Sequence, residues 1–85
     1  MKIEVLGTGC AKCEALESAV RRVADRVGVD YDLTHVTDIG AITAYGVMMT
    51  PALVIDGQVR VAGAIPGDAE LERLLREQAH ASGGA

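Results

Sequence analysis

Apolar and polar positions alternate in short blocks along the chain, and the period of each block predicts an element. Lys2-Ile3-Glu4-Val5-Leu6 reads as a strand. From Cys10 or Ala11 to Val27 the period changes. Leu16, Val20, Val23 and Val27 recur at helical spacing, and one step back along that stripe lies Cys13. Glu14 and Glu17 sit near the start of this helix and Arg21, Arg22 and Arg26 near its end, an order that suits the helix dipole. Glu17 and Arg21 can pair on the wet face, and Gly28 can close the helix in the left-handed conformation. Val29 to Val36 alternates as a strand with one wet face, near a sheet edge; Tyr31 is expected to pack with its hydroxyl in water. Asp38 is placed to cap a short helix carrying Ile39, Ile42 and Tyr45 inward, weakened by Gly40 and ended by Gly46. Ala52–Ile55 and Gln58–Ala62 are two strands joined by Asp56-Gly57, the strongest short hairpin signal. Pro51 has no N–H for a ladder and belongs at the first position of its strand. After a loop at Gly63, Pro66 and Gly67, Asp68 caps a last helix with Leu71, Leu74, Leu75 and Ala79 on its apolar face.

The order is β-α-β-α-β-β-α. A helix joins the first two strands, which are therefore parallel through a right-handed crossover. The hairpin adds an antiparallel pair. The expectation is an α/β fold with a four-stranded mixed sheet in the order 2-1-3-4 and helices on both faces. One domain spans residues 1–80, and residues 81–85 form a flexible tail with nothing to bury.

Composition narrows the function. Hydrophobic residues make up 49% of the 85 positions, but Phe and Trp are absent and Tyr occurs twice, so the core is aliphatic. The net charge of −4 argues against nucleic acid or an anionic membrane as partner. No apolar run approaches the roughly 18 residues of a membrane span, and the N-terminus opens directly on a strand with no signal-peptide pattern. A monomer in the reducing cytoplasm is expected, where two cysteines point to catalysis or metal rather than a structural staple.

Both cysteines lie in Gly7-Thr8-Gly9-Cys10-Ala11-Lys12-Cys13, where the first strand hands over to the first helix. The stripe turns Cys13 inward and leaves Cys10 at the helix mouth. Unpaired N–H groups and the dipole favour a thiolate there, so the Cys10 thiol should ionise more readily than a free one. Lys12 adds a nearby cation. Gly7 and Gly9 allow a tight turn and keep side chains away from Cys10. Cys10 would attack a partner disulfide and Cys13 would resolve the mixed disulfide. The alternative, a cysteine pair that is merely structural, fits this junction less well. Nothing in the sequence ties His35 to the cysteines, so it reads as a strand-end residue; His80 reads as solvated.

With Thr50-Pro51 before Ala52-Leu53-Val54-Ile55-Asp56-Gly57, and Gly63 after the last strand, the cysteine motif resembles the thioredoxin superfamily. The similarity is to its small glutaredoxin-like redox-active disulfide proteins and runs from about Lys2 to Gln78. The resemblance implies a thioredoxin-like fold and a cis Thr50–Pro51 peptide opposite Cys10. It also implies a client surface made by Thr50, Pro51, Gly9, Lys12 and Gly63, where an extended peptide can pair with the backbone of Thr50. The motif departs from its relatives. Gly9 stands where thioredoxins carry Trp, and Ala11-Lys12 replaces both their Gly-Pro and the Pro-Tyr of glutaredoxins. Lys12 and Arg60 are the only cations that could serve a basic glutathione site. Glu4 is the only candidate for the buried acidic residue of thioredoxins.

The leading function is therefore a thiol–disulfide oxidoreductase whose redox group is the Cys10–Cys13 disulfide itself, with no other cofactor. Its partners would be a disulfide-bearing protein or small thiol and an upstream reductase. One alternative is a soft-metal or metalloid carrier, for Cu(I) or arsenic, holding its cargo between Cys10 and Cys13. Heavy-metal-associated domains place C-x-x-C similarly, although their order is β-α-β-β-α-β. The other alternative is a noncatalytic adaptor or redox sensor.

Overall fold

The computed structural model describes residues 1–8 and 11–83, the side chains of 80–83 excepted. Seven elements follow the predicted order: β1 Lys2–Leu6, α1 Ala11–Val27, β2 Asp32–Val36, α2 Ile39–Ala44, β3 Ala52–Ile55, β4 Gln58–Ala62 and α3 Asp68–Gly83. The strands form one mixed sheet in the order β2-β1-β3-β4. β1 runs parallel to β2, with Val5 opposite His35, and antiparallel to β3, with Val5 opposite Leu53. The Asp56-Gly57 turn takes positive φ at both residues, 49° and 83°, as a two-residue hairpin of this twist requires.

Strand alternation sorts the core onto the two faces. Ile3, Val5, Leu53 and Ile55 pack with Leu16, Val20 and Val23 of α1 and Leu71, Leu74 and Leu75 of α3. Leu6, Ala52 and Val54 face the other way and meet Ile42 of α2. Burying each such Leu, Ile or Val contributes about 1.5–3 kcal/mol. Between α1 and α3, Arg22 reaches Asp68 at 2.7 Å and Arg26 reaches Glu72 at 3.3 Å, along an exposed seam. The turn is also tied down. Asp56 accepts from the Lys2 backbone N–H at 2.8 Å and from Gln78 Nε2 at 3.2 Å, joining the hairpin to β1 and α3. Between Leu53 and Val54 the β3–β4 register slips, so Arg60 has no opposite residue. Its guanidinium reaches Glu77 and Gln78 of α3. Arg60 and Arg73 together hold the Glu77 carboxyl below its ordinary range. Among the described residues no helix is long and apolar enough to cross a membrane.

Several local expectations are corrected. Ile39 is 68% exposed rather than inward, and Ile42 is the α2 residue buried against Leu6, Ala52 and Val54. Asp68 is not the cap of α3. The Gly67 carbonyl accepts the first helical bond, from Leu71 N–H at 3.0 Å, while the Asp68 carboxylate turns to Arg22. β2 begins at Asp32 rather than Val29, and the Tyr31 hydroxyl donates to Asp25 at 3.2 Å instead of reaching only water. α3 continues through Ala81 and Ser82 to Gly83, past the expected boundary at residue 80, since nothing before the glycines breaks it. The expected solvation of the His80 side chain and the tail at 84–85 lie outside the described residues.

Candidate functional site

The site forms where the C-terminal end of β1, the start of α1 and the segment before β3 meet. Cys13 lies in the first turn of α1 and is fully buried, as the apolar stripe predicted. Its seat is Gly7. A Cβ built on Gly7 would lie 2.1 Å from Cys13 Sγ and 3.8 Å from the Thr50 Cβ. The missing side chain of Gly7 is therefore the space the sulfur occupies, with Thr50 alongside. The sequence reading assigned this glycine to turn flexibility and to access for Cys10; its contact is with Cys13. Gly9 and Cys10, the expected nucleophile, lie outside the described residues.

The Thr50–Pro51 peptide is cis. Pro51 is buried and its carbonyl accepts from Gly63 N–H at 2.8 Å, which anchors the segment to the residue that follows β4. Gly63 holds φ at +78°, and the Met49 side chain lies over it, its Cε 3.0 Å from where a Cβ would stand. Thr50 and Lys12 are exposed, and Gly63 is half-buried. Thr50, Pro51 and Gly63 thus share one neighbourhood with Cys13, while Lys12 points to solvent. Arg60 is engaged with α3 and does not join Lys12 in a basic cluster.

A groove of about 410 Å³ opens beside this neighbourhood, between Thr8, Ile39 and Ile42 on one side and Val47, Met48 and Thr50 on the other. Met48, which lines it, is 95% exposed. A larger hollow of about 670 Å³ lies at Val27, Val29 and α3 residues Arg76, Glu77 and Ala79. It is a full helix length from the cysteine motif, about 24 Å at 1.5 Å per residue, so the smaller groove is the one beside the chemistry.

Two polar contacts have no obvious sequence signal. Glu4 is only 8% exposed, and its Oε1 accepts from the Tyr45 hydroxyl at 2.7 Å. That hydrogen bond, with burial and the carboxylate charge, raises the Tyr45 phenol above its ordinary range. The residues lie 41 positions apart, so only the fold brings them together. His35, read from sequence as a strand-end residue, places Nδ1 3.3 Å from Glu17 Oε1. Glu17 also takes the expected contact from Arg21, at 3.4 Å. Among the described residues no group of three or more His, Cys, Asp or Glu is placed to hold a metal ion.

The family profile described as thioredoxin domain matches residues 1–76. A thioredoxin of Methanothermobacter thermautotrophicus is 31% identical over 75 residues, covering 88% of this chain and 97% of that protein. A thioredoxin of Methanocaldococcus jannaschii is 31% identical over 74 residues, covering 87% of this chain and 85% of that protein.

Proposed function

Because the chain belongs to the thioredoxin domain family, we propose that it is a thiol–disulfide oxidoreductase working through Cys10 and Cys13. Cys10 immediately precedes Ala11, the first residue of α1. A thiolate at that point gains from the unpaired N–H groups and the dipole of a 17-residue helix. It attacks a client disulfide, forming a mixed disulfide and releasing one client thiolate. Cys13 then attacks the Cys10 sulfur, which forms the intramolecular disulfide and frees the second client thiolate. An upstream dithiol reductase returns the pair to its reduced state. No bound cofactor enters either step.

The observation that supports this most is the seat of Cys13. Its sulfur is shielded from solvent and packed on Gly7 beside Thr50, as a resolving thiol should be: inert toward solvent and close to the mouth of its own helix. The exposed Thr50 and the adjoining apolar groove suit an extended client segment with one aliphatic side chain laid against Ile39 and Met48. Clients are accordingly disulfide-bearing polypeptides. The element order β-α-β-α-β-β-α, rather than the β-α-β-β-α-β of heavy-metal-associated domains, supports the dithiol reading over a metal carrier.

Trapping tests the reading. Cys13→Ser should accumulate mixed disulfides on Cys10, visible by intact mass, and Cys10→Ser should form none. A thiol titration should show a two-electron transition within about −270 to −120 mV. Full insulin-reducing activity in Cys10→Ser would overturn the assignment.

A further inference from the structure

Resting on the dithiol reading above and on the groove as its client seat, we infer that Met48 is a site of reversible oxidation by hydroperoxides. Its sulfoxide form turns away polypeptide clients, while the dithiol keeps its reaction with small disulfides. Among the described residues Met48 is the large apolar side chain that the fold leaves most fully in water, 95% exposed against 68% for Ile39 and 63% for Met49. Its neighbours in the chain are all anchored. Val47 packs against the cluster of Leu6, Ile42, Ala52 and Val54. The Met49 thioether lies over Gly63, its Sδ 3.3 Å from where a Cβ of that glycine would stand. Pro51 is buried, and its carbonyl accepts from Gly63 N–H. The segment is held at Val47, Met49 and Pro51, and Met48 is carried outward between them. There it lines the groove of about 410 Å³ with Thr8, Ile39, Thr43 and Thr50. A leucine would give the groove the same apolar wall; a thioether gives it a wall that an oxidant can make polar.

Two consequences follow from a thioether in that position. The first is selectivity. Oxidation needs access to a sulfur lone pair. Met1 is half-buried and packs against the main core, and Gly63 lies under the sulfur of Met49. Of the three methionines in the chain, Met48 is therefore the first to react. The second is that the change is felt only on docking. In the free protein the added oxygen stands in water, and no packing is lost. When a client covers the groove, the S=O group must leave water and face an aliphatic side chain. Thr43 cannot satisfy it, because its hydroxyl already donates to the Ile39 carbonyl at 2.8 Å.

The step balances. The Met48 sulfur attacks one oxygen of the hydroperoxide, and the S–O bond forms as the O–O bond breaks. The other oxygen leaves as water or an alcohol. The thioether loses two electrons and the peroxide gains them. A dithiol-driven sulfoxide reductase reverses the change: two thiols become a disulfide and the oxygen departs as water.

The test separates docking from chemistry. The protein is first converted to its Cys10–Cys13 disulfide, which shields both sulfurs, and then treated with hydrogen peroxide until about one oxygen has been added per chain. Dithiothreitol then restores the dithiol and leaves the sulfoxide in place. Fragment masses should put the oxygen on Met48, and the urea midpoint should not move. For insulin reduction kcat/KM should fall about tenfold, through KM. Dithiol oxidation by 2-hydroxyethyl disulfide, which has no apolar side chain to lay in the groove, should stay within about twofold of the untreated rate. Met48→Leu, whatever its own starting KM, should show the same KM before and after peroxide, and Met49→Leu should keep the response. The inference is overturned by oxygen on Met1 or Met49 ahead of Met48, by an unchanged KM for insulin, by a response that persists in Met48→Leu, or by an equal loss with both disulfides. An untreated protein inert toward 2-hydroxyethyl disulfide would instead overturn the dithiol reading itself.

Discussion

At Gly7 one absent methyl group decides where the resolving sulfur can sit. Gly7→Ala would bring a Cβ to 2.1 Å from Cys13 Sγ and 3.3 Å from Cys13 Cβ. Neither atom belongs to a long flexible chain, and α1 holds both in place. Overpacking of this kind costs about 1–3 kcal/mol, which in a domain of this size lowers Tm by roughly 4–8 °C per kcal/mol. The expected result is a melting point lowered by that mechanism together with a slowed release of client from Cys10. A melting point equal to that of the unsubstituted protein would show that Cys13 gives way freely. The sequence marked this glycine as permissive but could not say for what. A glycine announces that a side chain is excluded; which neighbour excludes it depends on how α1 lies on the sheet. The inward turn of Cys13 was legible for the opposite reason, because it follows from helical period alone. His35 shows the limit again: its spacing placed it at a strand end, while its contact with Glu17 required the β1–β2 register.

The elements themselves were largely written in the pattern. Alternation with one wet face set β2 near an edge, Asp56-Gly57 set the hairpin, and the helix between the first two strands made them parallel, as observed. What local pattern missed is how far each face extends. Ile39 lies three residues before Ile42 yet stays exposed, and it borders the groove instead. Glu4, nearly buried, finds its partner in the residue closing α2. Tyr45 caps that helix and donates to Glu4. Its raised phenol pKa has a defined consequence for stability. Between its unfolded value near 10 and its higher folded value, the native state holds the proton more tightly than the unfolded chain. The stabilisation is thus complete below about pH 10 and is lost as pH rises through the folded value. Tyr45→Phe should unfold at lower denaturant than wild type at pH 7, and the difference should shrink as pH is raised from 9 to 11.5. A gap that stays constant over that range would mean that the hydroxyl is not what Glu4 depends on.

For the molecule as a whole, the question is what keeps α1 and α3 on the sheet so that the start of α1 stays aimed at the loop before β3. Two kinds of contact join these helices. One is the buried layer of Leu16, Val20, Val23, Leu71 and Leu75 against Val5 and Leu53. The other is the exposed seam of Arg22–Asp68 and Arg26–Glu72. Magnitude separates them. Truncating a fully buried leucine removes its transfer energy and leaves a cavity, about 2–5 kcal/mol, whereas an exposed ion pair is worth about 0–1 kcal/mol and weakens with salt. A domain of 85 residues has, at about 0.05–0.15 kcal/mol per residue, a total stability only a few times the leucine figure. Leu75→Ala should therefore lower the urea midpoint by a large fraction and loosen the dithiol along with the fold, so that Cys13 becomes accessible to alkylation below the unfolding transition. Arg22→Ala should shift the midpoint by less than about a quarter as much, and the shift should vanish in 1 M salt, where the screening length is about 3 Å. If Arg22→Ala proved as damaging as Leu75→Ala, the charged seam rather than the aliphatic layer would be what sets the position of α1. The shielding of Cys13 would then depend on ionic strength, which alkylation rates at low and high salt would reveal.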